Sequence, residues 1–153
     1  MTNQLVFFVA GTPAPQGSKR HVGGGRMVES SAKVKPWRED VRAAAEAAMQ
    51  DQAWGPDDAD QPLEVEIYFY LQRPVSHPRR RRTTPDKKPD LDKLIRSTCD
   101  ALTSAGALKD DARIVRITAQ KRYVHPPELR RSRDEIDRPG ATVYIYPANK
   151  EQS

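Results

Sequence analysis

From Leu63 to Leu71 the chain alternates almost without a break: Leu63, Val65, Ile67, Phe69 and Leu71 interleave with Glu64, Glu66, Tyr68 and Tyr70. Successive side chains of an extended backbone point to opposite faces, so this pattern predicts a strand with one dry face. No strand covers that face alone, and the remaining sequence must supply neighbours and a second layer. Leu5 to Val9 is a strand-length apolar run stopped by Gly11, Pro13 and Pro15. Ile114, Ile117 and Ala119 to Val124 predict a long strand, and Ala141 to Tyr146 a last one. Arg20-His21-Val22 and Arg26-Met27-Val28 flank Gly23-Gly24-Gly25, which suggests a small hairpin turning on glycine.

Two segments switch to helical spacing. After Pro36, Trp37, Val41, Ala44, Ala45, Ala48 and Met49 share one side, with Arg38, Glu39, Arg42, Glu46 and Gln50 opposite; proline suits the first turn. Gly55-Pro56 closes this helix, and Asp57, Asp58 and Asp60 read as a wet linker. Leu91, Leu94, Ile95, Thr98, Cys99, Leu102 and Ala105 predict a second helix from Asp92 to about Ala105, stopped by Gly106. Residues 126 to 139 read as an exposed polar loop, a candidate for disorder. The order β-(hairpin)-α-β-α-β-β implies an α+β fold, a mixed sheet flanked by two helices, in a single domain spanning 1–153.

Net charge is +5, but it is not spread evenly. Between Arg73 and Lys88 stand Arg73, Arg79, Arg80, Arg81, Arg82, Lys87 and Lys88 against one acid, Asp86. Focused charge of this kind is an electrostatic footprint for a phosphate backbone; a solvated loop or an import signal is the competing reading. Cys99 is the single cysteine, which excludes an internal disulfide, suits a reducing cytosol and favours a buried apolar role. The apolar run at Leu5 to Ala10 is far too short to span a bilayer.

Several familiar motifs fail. Gly11 to Lys19 imitates a phosphate loop, but five residues separate its glycines where four are needed, Ser-Lys is reversed, and two prolines remove amide donors. A turn leaving the first strand is the better reading, with Lys19 still able to touch DNA. Asp57, Asp58 and Asp60 lack the glycine and glutamate of a calcium loop. His21, His77 and His125 are dispersed and give zinc no framework, and no nucleophile elbow occurs.

The acids around the second helix are different. Asp90-Leu91-Asp92 stands at its threshold and Asp110-Asp111 beyond its end. Asp92 suits an N-cap. Pro89 favours an extended approach, in which Asp90 and Asp92 project to one side. A chain leaving at Gly106 must return along the helix before Asp111 can join them; acidic turn residues after a helix are also ordinary.

Pro89-Asp90-Leu91-Asp92-Lys93-Leu94, then Asp100-Ala101-Leu102-Thr103, Gly106 and Asp110-Asp111, resembles the signature of the RusA family of Holliday-junction resolvases, often encoded by phages and prophages. The first strand with its Gly11 to Lys19 turn and the helix around Trp37 share the likeness. The resemblance implies a homodimeric endodeoxyribonuclease using magnesium, with manganese as a substitute, in a bacterial or phage-infected cytosol. By position, Asp90, Asp92 and Asp111 match the family's metal-binding catalytic aspartates, and Asp110 is a neighbour able to assist. The family has asparagine after the second aspartate and a lysine four residues past it; here these are Lys93 and Arg96. Arginine stays protonated, so Arg96 is expected to stabilise charge on a phosphate and not to move a proton, or else to pair with Asp100.

The expected activity is resolution of a four-way junction by paired nicks, with Lys19, Arg79, Arg80, Arg81, Arg82, Lys87, Lys88 and Lys93 on the DNA. The alternatives are a less selective nuclease for branched DNA, and a non-catalytic basic DNA-binding protein whose aspartates only cap and solubilise.

Overall fold

The computed structural model describes residues 3–17, 19–21, 27–29, 32–76 and 83–148. In chain order the strands are β1 (Leu5–Ala10), β2 (Lys19–His21), β3 (Met27–Glu29), β4 (Leu63–Leu71), β5 (Ile114–Tyr123) and β6 (Gly140–Pro147). The helices are α1 (Val34–Asp51), α2 (Pro56–Ala59) and α3 (Leu91–Ala105). One mixed sheet has the order β1-β6-β4-β5, and β2 and β3 form a separate hairpin whose turn, 22–26, lies outside the described residues. The fold is α+β, as the sequence pattern implied.

β6 is antiparallel to both neighbours, with Leu5 opposite Ile145 and Ile67 opposite Val143. β5 runs parallel to β4 at the sheet edge, with Ile67 beside Ala119. A parallel neighbour requires a crossover, and α3 provides it. The alternating residues of β4 do what their period demands: Leu63, Val65, Ile67 and Phe69 are buried with Leu5, Val9, Val143 and Ile145 in one core.

The apolar stripes of α1 and α3 close that core. Trp37, Val41 and Ala45 come from α1, and Leu94, Ala101 and Leu102 from α3. The two helices are also tied by the Trp37 indole, which donates to Thr98 Oγ1 at 3.1 Å. Gly106 ends α3 at φ +88, a left-handed conformation where glycine has no Cβ to clash. Cys99 is buried as expected, and burial, reinforced by Asp111 and Asp100, pushes its thiol up to about 12.

Three expectations change. α1 starts at Val34, two residues before Pro36. The acidic tract is not simply a wet linker: Asp58 accepts from the Gly55 amide at 2.7 Å to start α2. Asp60 binds Lys109 and Arg113 at 3.1 and 2.9 Å, clamping the connection into β5. Those cations, Lys109 first, hold the Asp60 carboxyl below its ordinary range. The polar loop contains a 3-10 turn at Pro127–Leu129, is braced by Arg130 Nε on the His125 carbonyl at 2.8 Å, and closes with the Gly11 amide on the Pro139 carbonyl.

On the sheet face away from the core, Glu66 accepts from Tyr68 at 2.7 Å and from Tyr146 at 2.6 Å, bridging β4 to β6. Arg122 lies 4.6 Å above the Tyr68 ring, and Tyr144 meets it edge-on. These tyrosines stabilise the packing of β4 against β6. The two hydroxyl donors, Tyr146 first, lower the Glu66 pKa. Reciprocally, Tyr146 is pushed up to about 12, chiefly by that hydrogen bond.

Candidate active site

The threshold of α3 is held by a strand lysine. Lys121 of β5 sends its ammonium to the carbonyls of Lys87 and Pro89, at 2.8 and 3.0 Å. Just after this anchor, Asp90 takes the N-cap position in extended conformation and α3 begins at Leu91, one residue earlier than the sequence pattern placed it. The bond from Lys88 to Pro89 is cis.

Neither acid spends its side chain on capping. Asp90 makes no cap hydrogen bond and pairs loosely with Lys93 at 3.4 Å. Asp92, expected as the N-cap, lies inside the first turn and is exposed. Among the described residues it has neither an ion pair nor a hydrogen bond. Capping therefore explains neither aspartate, although both suit the positive end of the helix dipole.

Arg96 follows Asp92 by one turn on the same helix face. Its guanidinium rests over Gly17: a Cβ built there falls 2.7 Å from Arg96 Nη1. Gly17 also has φ +102, which L side chains rarely adopt. The turn carrying Gly17 is bonded to α3 at three points. Ser97 Oγ donates to the Ala14 carbonyl at 2.6 Å, the Gln16 amide donates to the Lys93 carbonyl at 3.0 Å, and the Gln16 side chain donates to Asp100. Asp100 is thus engaged by Gln16, and among the described residues Arg96 forms no ion pair. The competing reading of Arg96 as a helix-surface salt bridge is not what the structure contains.

Asp110 and Asp111 stand elsewhere. Asp110 caps a 3-10 turn at Asp111–Arg113 by accepting from the Ala112 amide at 2.8 Å, a structural role. Asp111 accepts from Thr103 Oγ1, near the far end of α3. Thr103 is eleven residues beyond Asp92, or about 16 Å of axial rise. Asp111 therefore does not meet Asp90 and Asp92 within one chain, contrary to the expectation. The reason is topological: β5 is parallel to β4, so it starts at the end of the sheet where α3 finishes. Among the described residues no three acidic, histidine or cysteine side chains are grouped to hold a metal.

Of the expected DNA contacts, Lys87 and Lys88 are exposed just before α3, and Lys93 is occupied by Asp90. Lys19 lies in the hairpin strand β2. Arg79, Arg80, Arg81 and Arg82 lie outside the described residues. Sequence reasoning missed Lys121, Gln16 and Ser97; only Gln16-Gly17 carried a signal, as part of the glycine-bounded segment.

The family model for endodeoxyribonuclease RusA matches residues 10–130, a span that holds the Gly17 turn, all of α3 and Asp111. The chain belongs to the RusA endodeoxyribonuclease family. No individually curated protein matches it. Membership in the RusA family gives a common context to the acids not used for capping and to Arg96, which has no ion pair among the described residues, since an endodeoxyribonuclease must hold and cut a phosphodiester.

Proposed function

We propose that the protein is a magnesium-dependent endonuclease that cuts branched DNA, with the four-way junction as its substrate. One observation carries this reading: two exposed carboxylates not used for capping stand at the first end of α3, and Arg96, with no ion pair among the described residues, lies one turn on from Asp92 beside the docked Gly17 turn. Family membership supports the DNA-cutting chemistry.

The donor set fits a hard cation. Magnesium is commonly bound by one or two carboxylates together with waters and substrate phosphate, so Asp90 and Asp92 are a sufficient protein contribution at one end. Bound there, the ion supplies a water of lowered pKa and relieves charge on the phosphate. Arg96 meets the phosphate oxygens as a permanent cation, with two donors aimed in a fork. Gln16 on Asp100 and Gly17 beneath the guanidinium keep that fork from folding back onto its own helix. Lys121 holds the backbone that carries Asp90. Lys87 and Lys88 attract the DNA backbone to this end, and the charge of Arg79 to Arg82 adds to the protein's attraction for DNA, a contribution that falls as salt rises.

The direct test is a synthetic four-way junction incubated with magnesium and with chelator, against linear and flapped duplexes of the same sequence. Paired, metal-dependent nicks near the crossover are expected, with little cutting of linear DNA. Asp92→Asn forfeits at most about 1 kcal/mol of helix-dipole interaction, so the fold should survive. This variant should lose cutting yet still bind the junction. Retained cutting by Asp92→Asn, or chelator-resistant cutting by the parent protein, rules the reading out.

A further inference from the structure

α1 and α3 cover one face of the sheet, and at one end of the opposite face lies an open cleft of about 730 Å³. Strand register sets its floor. Tyr70 stands beside Arg122, Gln120 and Thr142 flank Tyr68, and Tyr144 pairs with Glu66, so all of them belong to the face turned away from the core. Thr83, Thr84 and Pro85 form one wall. Arg131, Ser132 and Asp134 form the other, on the segment braced by Arg130 against the His125 carbonyl. The cleft sits at the end of the sheet where α3 begins. Pro85 precedes Asp90 by five residues, and Lys121, which borders the cleft, holds the carbonyls of Lys87 and Pro89.

The lining combines un-neutralised cations with aromatic faces. Arg122 is pinned 4.6 Å above the Tyr68 ring, and its Nε donates to Gln120 Oε1 at 2.9 Å. Neither partner is an anion, so the guanidinium is oriented but keeps its full charge. Arg131, exposed on the wall, likewise has no ion pair among the described residues. The acids of the sheet face are committed elsewhere: Glu66 accepts from two tyrosine hydroxyls, and Glu64 pairs with Arg116 at 3.8 Å. Two such cations suit phosphates, and the half-buried rings of Tyr70 and Tyr144 suit the flat faces of bases. Asp134 and Glu135 on the wall can accept from base amino groups but repel phosphate, so stacking and not net charge must carry the binding.

We propose that this cleft binds unpaired nucleotides of a DNA strand, gripping the opened segment of a branched substrate on the side of the sheet away from the acids. A cavity of this size takes about one or two nucleotides, and the duplex arms stay outside it. A bare four-stranded sheet bearing aromatic side chains is a sequence-tolerant platform of this kind, because every base has a π face. The inference rests on the endonuclease reading for its purpose, but the binding itself needs neither metal nor cutting.

The probe is a short single-stranded oligothymidylate, titrated by fluorescence anisotropy with chelator present. Tyr144→Leu should weaken binding by about tenfold, the loss of one stacked base, with the salt dependence unchanged. Tyr144→Phe, which keeps the ring, should bind like the parent. Arg131→Ala, at an exposed position, should make the salt slope shallower by about 0.7, the share of one phosphate on a single strand. The same oligonucleotide carrying 5-iododeoxyuridine should photocross-link to the parent protein at Tyr70 or Tyr144, mapped by mass spectrometry. Cross-links confined to α3 and the segment before it, no binding at all, or a folded Tyr144→Leu that binds like the parent overturns the proposal. If Tyr144→Leu does not fold, the cross-link map of the parent decides. Cross-linking in the cleft by a protein that never cuts DNA refutes the endonuclease reading and leaves the cleft assigned; junction cutting without any cleft cross-link does the reverse.

Discussion

Lys121→Met isolates the anchor at the threshold of α3, because it keeps most of the side chain's length and removes only the ammonium. Two hydrogen bonds disappear, to the carbonyls of Lys87 and Pro89 at 2.8 and 3.0 Å. Bonds from a charged donor contribute roughly 1.5–3 kcal/mol when buried, and these lie near the surface, where water can replace the donor. A combined loss of about 1–2 kcal/mol is therefore reasonable, roughly a fivefold to thirtyfold rise in local opening. The first helical bond of α3, from the Leu94 amide to the Asp90 carbonyl at 3.1 Å, reports that opening directly. Hydrogen exchange at Leu94 should accelerate by about tenfold while amides in β4 and β6 stay protected. Junction cutting should fall by a comparable factor with junction binding nearly unchanged, because Asp90 and Asp92 lose their fixed position and not their charge. Unaltered exchange at Leu94 together with unaltered cutting would refute the idea that a strand lysine positions the acids.

Gly17→Ala should impair cutting through both the +102° backbone and the displaced Arg96 guanidinium; strain of about 1–2 kcal/mol is expected, and Arg96→Gln, which removes the cation, should mimic the functional loss without the drop in melting temperature. Glu66, whose pKa is lowered by Tyr146 and Tyr68, contributes stability that is present above the ordinary carboxyl value of 4.5 and is lost as pH falls through the lower folded value. Urea midpoints on the acid side should therefore drop less steeply in Glu66→Gln than in the parent. The Cys99 thiol should resist a thiol reagent under native conditions and react only at the rate of unfolding; rapid native labelling would contradict its burial.

The elements with a strong internal period were legible. Nine alternating residues specify β4 wherever it sits, and α3 shows its apolar stripe and its Gly106 stop in sequence. What sequence spacing could not carry was the assembly of those elements. Asp92 and Asp111 stand nineteen positions apart, a separation that says nothing about distance until β5 is known to run parallel to β4. Asp58 and Asp60 looked like solvated linker because their partners, the Gly55 amide, Lys109 and Arg113, include side chains about fifty residues away. Lys121 is one charge among several on an exposed strand, and only its contact with the Pro89 carbonyl distinguishes it. The Gln16-Gly17 turn was visible as an irregular motif, but its docking partner lies eighty residues downstream.

The position of β6 bears on how the protein comes into being. It is the last strand in chain order, yet it fills the slot between β1 and β4. Until it arrives, β1 has no neighbour in the sheet and β4 bares a flank to solvent. Synthesis proceeds from the amino end at about 5–20 residues per second, so α3 and its aspartates emerge seconds before the strand that stabilises the platform beneath them. A nascent chain would thus carry its reactive residues on an unfinished scaffold, and a truncated one should remain inert.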